Sequence, residues 1–303
     1  MRRLVAPAAL VACLGAVAVP IAQTVSPLQQ ELRRVLDRAL VASVDALNGV
    51  IGYAALDLTS GEEIGRLDRQ EFPTASTIKL AILYELFRQA DEGRVKLDDV
   101  QTLDRAHVVG GTGVLRALGT PALSLRDHAV LMMSLSDNTA TNVLIDRVGL
   151  AAVASRMQTL ELPGIRLRRR MMDTAAATRG DENVATPRDI VRLLRVLHAG
   201  EGLSPESKAG ALKILEVGAG GYLRRGIPAD VEVLNKSGEL EGVRADAALV
   251  RALNRPYAVA VMTTYLKDEA EGERTLAAVS RAFYDYFSRL GAGMPTGRQL
   301  RRP

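Results

Sequence analysis

Phe72-Pro73-Thr74-Ala75-Ser76-Thr77-Ile78-Lys79 is the stretch on which the reading of this chain turns. From Ile78 onward the apolar positions Ile82, Leu83, Leu86 and Phe87 recur at helical spacing, so extended chain gives way to a helix here. On the N-terminal side, residues 50–58 and 64–67 read as strands joined by the turn Thr59-Ser60-Gly61-Glu62, and residues 27–48 read as an amphipathic helix. On the C-terminal side, helix starts crowd the middle of the chain: Ser124 with Asp127, Thr186-Pro187 with Asp189, and Ser204-Pro205 with Ser207. Gly93, Gly149 and Gly200 follow apolar helical runs, as C-terminal caps do. The end of the chain mirrors its beginning, with strand-like runs at 231–234, 243–251 and 257–266 and a helix over 273–290. Two strand-rich ends that cannot each bury a core alone should join in one sheet. The expected fold is therefore α+β: an antiparallel sheet flanked by the terminal helices (27–71 and 226–290), an inserted all-helical domain (72–225), and a flexible tail (291–303).

Composition sets limits on function. A chain of 303 residues with 48% apolar and 24% charged residues can bury a full core. The formal charge of +4 belongs to the ends, since Arg2, Arg3, Arg298, Arg301 and Arg302 account for more than all of it. With no basic stripe along the body and no Trp, nucleic acid is not an expected partner. Residues 1–22 read as an export signal, with Arg2 and Arg3 ahead of an apolar run and a small-residue cleavage site at Ala16-Val17-Ala18. An uncleaved anchor is the rival reading, and both put the body outside the cytoplasm. Cys13, the only cysteine, follows Leu10-Val11-Ala12 as in a lipid-attachment box, so lipid anchoring is a further possibility. The body has no disulfide, cysteine nucleophile or thiolate metal site available.

Three short motifs carry the chemistry. Ser76 and Lys79, three apart at a helix start, share a face, so a hydroxyl nucleophile can meet an amine base if burial lowers the lysine pKa. Lysines number 6 against 33 arginines, and arginine cannot give up its proton, so a lysine here has a chemical reason. Ser136-Asp137-Asn138 lies on a bend between helices, where a hydroxyl can relay a proton and an amide can hold a substrate carbonyl. Taken alone it is also ordinary helix-capping material. Lys236-Ser237-Gly238 follows a strand, and its ammonium and hydroxyl can hold a carboxylate while the glycine leaves the backbone open.

In this order the three motifs resemble those of the class A β-lactamases, the penicillin-recognising serine hydrolases. The segments Phe72-Pro73-Thr74-Ala75-Ser76-Thr77-Ile78-Lys79 and Ser136-Asp137-Asn138-Thr139-Ala140-Thr141-Asn142 carry the resemblance, which extends over about residues 28–290. It implies that Ser76 is acylated, that Lys79 helps to deprotonate it, and that Ser136 passes a proton to the departing nitrogen. By the same resemblance Lys236 and Ser237 hold the substrate carboxylate and Asn138 its side-chain amide. The backbone N–H groups of Ser76 and Glu239, the residue after Gly238, form the oxyanion hole.

One feature of the family is missing. Class A enzymes place a glutamate in an Ω-shaped loop, after an arginine, to activate the water that releases the acyl group. Here the loop reads Leu167-Arg168-Arg169-Arg170-Met171-Met172-Asp173, which puts Met171 or Arg170 at that place, depending on where the count begins. Asp173 is the nearest carboxylate and the candidate deacylation base, with Asp181 and Glu182 farther along; Asn183 replaces the aspartate that closes the loop. The arginines of this run read as a solvated cluster. Other classes lack their signatures: His107, His128 and His198 sit beside no strained Gly-x-Ser-x-Gly turn, no ligand spacing suggests a metal, and Gly110-Gly111-Thr112-Gly113 reads as a flexible rim. The expected protein is an exported monomer that needs no cofactor and acts on a β-lactam or a peptidoglycan-like acyl-peptide. It either turns over as a β-lactamase, releases slowly as a penicillin-binding or D,D-peptidase-like enzyme, or serves as a non-catalytic binding module.

Overall fold

The computed structural model describes residues 26–218, 220–293 and 296–298; the expected leader (1–22), with Cys13, lies outside them. The N-terminal part comprises α1 (Pro27–Val44), β1 (Val50–Asp57) and β2 (Glu63–Arg66). Then come β3 (Phe72–Pro73), a 3-10 turn (Ala75–Ile78), α2 (Lys79–Asp91), β4 (Val100–Thr102), β5 (Ala122–Ser124), α3 (Leu125–Ser134) and α4 (Asn138–Val148). They are followed by α5 (Leu150–Thr159), α6 (Thr174–Thr178), β6 (Val184–Ala185), α7 (Pro187–Ala199) and α8 (Pro205–Val217). The chain closes with β7 (Val233–Leu240), β8 (Val243–Val250), β9 (Tyr257–Thr264) and α9 (Glu269–Ala292).

The helices begin where short polar side chains can take the free N–H groups of the first turn. Ser124 Oγ accepts from Asp127 N at 3.0 Å, Thr186 Oγ1 from Asp189 N at 3.1 Å and Ser204 Oγ from Ser207 N at 3.1 Å. Ser26 and Gln29 form a reciprocal box ahead of Pro27. Helix α1 ends at Val44, four residues short of the expected end, and Leu47 packs from the following turn against the core instead. Helix α9 begins at Glu269, capped by Asp268, and runs to Ala292, so the first two residues of the expected tail are helical.

The two ends of the chain meet in one antiparallel sheet of order β2-β1-β9-β8-β7. Strand β1 pairs with β9 along its whole length, from Val50↔Thr264 to Asp57↔Tyr257. Residues of β9 alternate between two cores: Tyr257, Val259 and Val261 meet Leu36, Leu40, Phe283 and Phe287 of the terminal helices, while Ala258, Ala260 and Met262 face the helical region. The Tyr257 and Phe287 rings stack at 4.4 Å between centroids. Tyr222 and Leu223 belong to the terminal-helix core, and Ser280 Oγ donates to Leu223 O at 2.7 Å, so the last residues of the expected insert pack with α9. Strand β7 continues through Lys236-Ser237-Gly238 to Leu240 instead of stopping before them, because β8 pairs with it from Val233↔Val250 to Leu240↔Val243. Among the described residues no helix is long and apolar enough to cross a membrane.

Candidate active site

The backbone turns sharply into the 3-10 helix at Ala75, which adopts a positive φ of 46°. That turn leaves Ser76 facing a cleft of about 560 Å³ and carries Lys79, one turn later, into the interior, where it is fully buried. The Lys79 amine donates to Ser136 O at 2.8 Å, to Ser136 Oγ at 3.0 Å and to Asn138 Oδ1 at 3.2 Å. Ser136 Oγ in turn donates to Ser76 Oγ at 2.9 Å. Lys79 therefore reaches Ser76 through the Ser136 hydroxyl and not by the direct contact expected from their spacing, because three acceptors on the α3–α4 bend hold the amine. Burial drives the Lys79 pKa well below the usual lysine value, helped by the nearby charge of Lys236 and opposed by Asp137.

Ser136 also has a positive φ, 52°, which turns its hydroxyl and its carbonyl toward the lysine. The bend is held by Asp137, whose carboxylate caps α4 through Ala140 N at 2.9 Å and binds Val114 N and Leu115 N at 2.7 and 2.9 Å. Sequence reasoning had no signal for this second duty of Asp137. Gly110 and Gly111 lie against Asn138: Asn138 Nδ2 donates to Gly110 O at 3.3 Å, and a Cβ on Gly111 would fall 2.5 Å from the same nitrogen. The expected rim is thus a strap over Asn138, fastened further by Thr112 Oγ1 donating to Ser136 O at 2.8 Å.

Lys236 enters from the other wall. It is buried, donates to Ser237 O at 2.9 Å, and is pushed down to about 8 by burial, against the raising influence of Asp246 and Glu239. Ser237, Gly238 and Glu239 line the cleft with Ser76, Ser136 and Asn138. A Cβ on Gly238 would sit 2.6 Å from Ser76 N and 2.8 Å from Thr74 O, so only glycine lets β7 lie this close to the serine backbone. Three segments distant in the chain therefore converge on one hydroxyl, and they do so in the motif order of one enzyme class.

The sequence pattern of the β-lactamase enzyme family matches residues 28–287. The chain belongs to this family. It is similar to the imipenem-hydrolyzing β-lactamase of Enterobacter cloacae, 28% identical over 247 residues, which span 78% of this chain and 85% of that protein. A solved β-lactamase from Sphaerobacter thermophilus is 31% identical, with a TM-score of 0.75 over 82% of this chain and 95% of that one. The solved protein PBP-A is 29% identical, with a TM-score of 0.77 over 84% of this chain and 96% of that one. A PBP-A mutant has been solved as an acyl-enzyme complex with penicillin G.

The loop where this β-lactamase-family chain departs from the class A pattern is well tied. A bridge between Arg166 and Val184 closes its neck. Asn183 Oδ1 accepts from Arg168 N and Arg169 N at 2.8 and 3.0 Å, and Asn183 Nδ2 donates to Arg169 O at 3.1 Å. The ion pair that spans the loop is Arg169 with Glu182, at 2.7 Å. Asn142 of α4 clamps the Met171 backbone, accepting from its N–H at 2.8 Å and donating to its C=O at 3.1 Å. Met171 is thereby the residue of the run that is buried in the cleft wall, whereas Arg170 turns to an ion pair with Asp146. Arg166 pairs with Glu71, so of the four arginines Arg166, Arg168, Arg169 and Arg170 three are ion-paired and not simply solvated.

Asp173, the expected deacylation base, is exposed and lies outside the residues that line the cleft. Its carboxylate accepts from Ala176 N at 2.9 Å as the cap of α6. A helix cap so engaged is turned to its own backbone. Glu182 does line the cleft, but Arg169 and the Asn183 N–H occupy its oxygens.

Proposed function

We propose that this protein is a serine acyl-enzyme hydrolase of β-lactam rings that acylates readily and releases slowly. The observation that carries the reading is the chain of contacts from Ser76 Oγ through Ser136 Oγ to the buried Lys79 amine, at 2.9 and 3.0 Å. A neutral amine at the end of that chain takes the Ser76 proton through Ser136 as the oxygen attacks the ring carbonyl. The N–H groups of Ser76 and Glu239 then stabilise the oxyanion. As the ring C–N bond breaks, Ser136 delivers a proton to the nitrogen. Lys236 and Ser237 hold the substrate carboxylate and Asn138 the side-chain amide.

Release requires a base beside an incoming water, and the thioether of Met171 cannot take a proton. This favours a long-lived adduct, the behaviour of a penicillin-binding or D,D-peptidase-like enzyme, over rapid turnover. A non-catalytic module would have no use for two buried lysines on the segments that meet at Ser76, since each costs desolvation. The leader supports export of the enzyme to the compartment where such substrates occur.

Intact mass after mixing with penicillin G tests the proposal. A persistent adduct on Ser76, absent in Ser76→Ala and accompanied by slow hydrolysis of a chromogenic cephalosporin, is the expected result. Neither adduct nor product would overturn it.

A further inference from the structure

Glu239 stands two residues after Ser237 on β7, so the two share a face of the strand, with Cα atoms about 7 Å apart. Both line the cleft. Directly across the hairpin from Glu239 is Arg244, the natural partner for its charge. That guanidinium is engaged elsewhere, with Glu269 at 2.6 Å, Glu273 at 3.3 Å, and the Leu240 and Val243 carbonyls at 3.1 and 2.9 Å. What holds the Glu239 carboxylate is a neutral donor, the hydroxyl of buried Tyr222. Among the described residues neither Glu239 nor Glu241, which also lines the cleft, forms an ion pair. The other charges on the cleft wall, Arg169 and Glu182, neutralise one another. The rim at the β7–β8 hairpin therefore carries two carboxylates without an ion-pair partner beside the place proposed for the substrate carboxylate, and the cation that feels the Glu239 charge is the buried Lys236 ammonium.

We propose that Glu239 sets the charge preference of this cleft, favouring acyl donors that carry a cationic group on the side of the scissile nitrogen and disfavouring those that bring a second anion there. The inference rests on the acyl-enzyme reading above, because it takes Ser237 as the neighbour of the substrate carboxylate. Two unit charges about 7 Å apart favour each other by roughly 3-fold in a water-like dielectric and roughly 50-fold in a protein-surface one, so an effect of about 10-fold is expected.

The test uses two cephalosporins with the same thienylacetyl side chain, one bearing a pyridinium and the other a neutral acetoxy group on the C3 methylene. Their second-order rate constants for acylation of Ser76 are measured by stopped flow. The leaving groups differ in intrinsic reactivity, so the readout is how the pyridinium-to-acetoxy quotient changes in Glu239→Gln. The expected result is a drop of about 3-fold or more at low ionic strength, and a wild-type quotient that shrinks in about 1 M salt as the charges are screened. A quotient unmoved by Glu239→Gln, or moved only by Glu241→Gln, overturns the assignment. If Glu239→Gln fails to fold, the salt response of the wild-type quotient decides. If neither compound adds mass to the wild type, the acyl-enzyme reading fails; the equilibrium binding quotient of the same pair on Ser76→Ala, with and without Glu239→Gln, then decides the charge preference.

Discussion

At Lys79 and Lys236 one physical cause, burial, has opposite consequences for the reaction. In the proposed reaction Lys79 has to be neutral to draw a proton through Ser136, and burial lowers its proton affinity well below that of a free lysine. Lys236, in the role proposed for it, has to stay charged to hold a carboxylate, and burial brings it down to about 8. Acylation should therefore rise with pH as Lys79 loses its proton and fall as pH passes about 8 and Lys236 loses its own. Stopped-flow acylation by penicillin G checks this, and Lys236→Arg should abolish the alkaline limb because a guanidinium keeps its charge. Lys79→Ala should slow acylation by about 10²-fold or more, read by the growth of the adduct mass. Met171→Glu puts a carboxylate where the cleft lacks one, and adduct decay should accelerate by about 10²- to 10⁴-fold. The residues that meet in the cleft were legible in sequence because their motifs are local. Their partners were less so: that Lys79 meets Ser76 by way of Ser136, and that Asp173 caps α6, depend on loops whose course no local pattern encodes.

Helix starts were the most readable elements, since Ser124, Thr186 and Ser204 act on amides three residues away. Strand β7 was the least readable. Its second half, Asn-Lys-Ser-Gly-Glu, has little strand preference of its own and is extended because β8 pairs with it residue for residue. The same pairing presses Gly238 against Ser76 N, so Gly238→Ala should force β7 away from that backbone amide. Acylation should then fall by about 10²- to 10³-fold while circular dichroism stays that of the wild type. On the opposite face of the sheet, Phe287 is fully buried against Tyr257, Phe283 and Tyr286. Phe287→Ala should lower stability by about 3–5 kcal/mol in urea unfolding, with little effect on the pH profile of the molecules that remain folded.

For the molecule as a whole, the joining of a strand-rich beginning to a strand-rich end was foreseeable, because neither end could bury its apolar faces alone. The pairing of β1 with β9 has a further consequence. The partners in Val50↔Thr264 are separated by most of the polypeptide, so β1, paired early only with β2, has its other edge open until β9 has been made. Closing so large a loop is slow compared with forming the local helices between. A chain still being synthesised would thus hold its opening strand paired on one edge only, and such an incomplete sheet is more easily threaded through a narrow pore than a finished one. Completion of the sheet is in effect deferred until the C-terminus arrives, which is compatible with the proposed export of the chain ahead of folding.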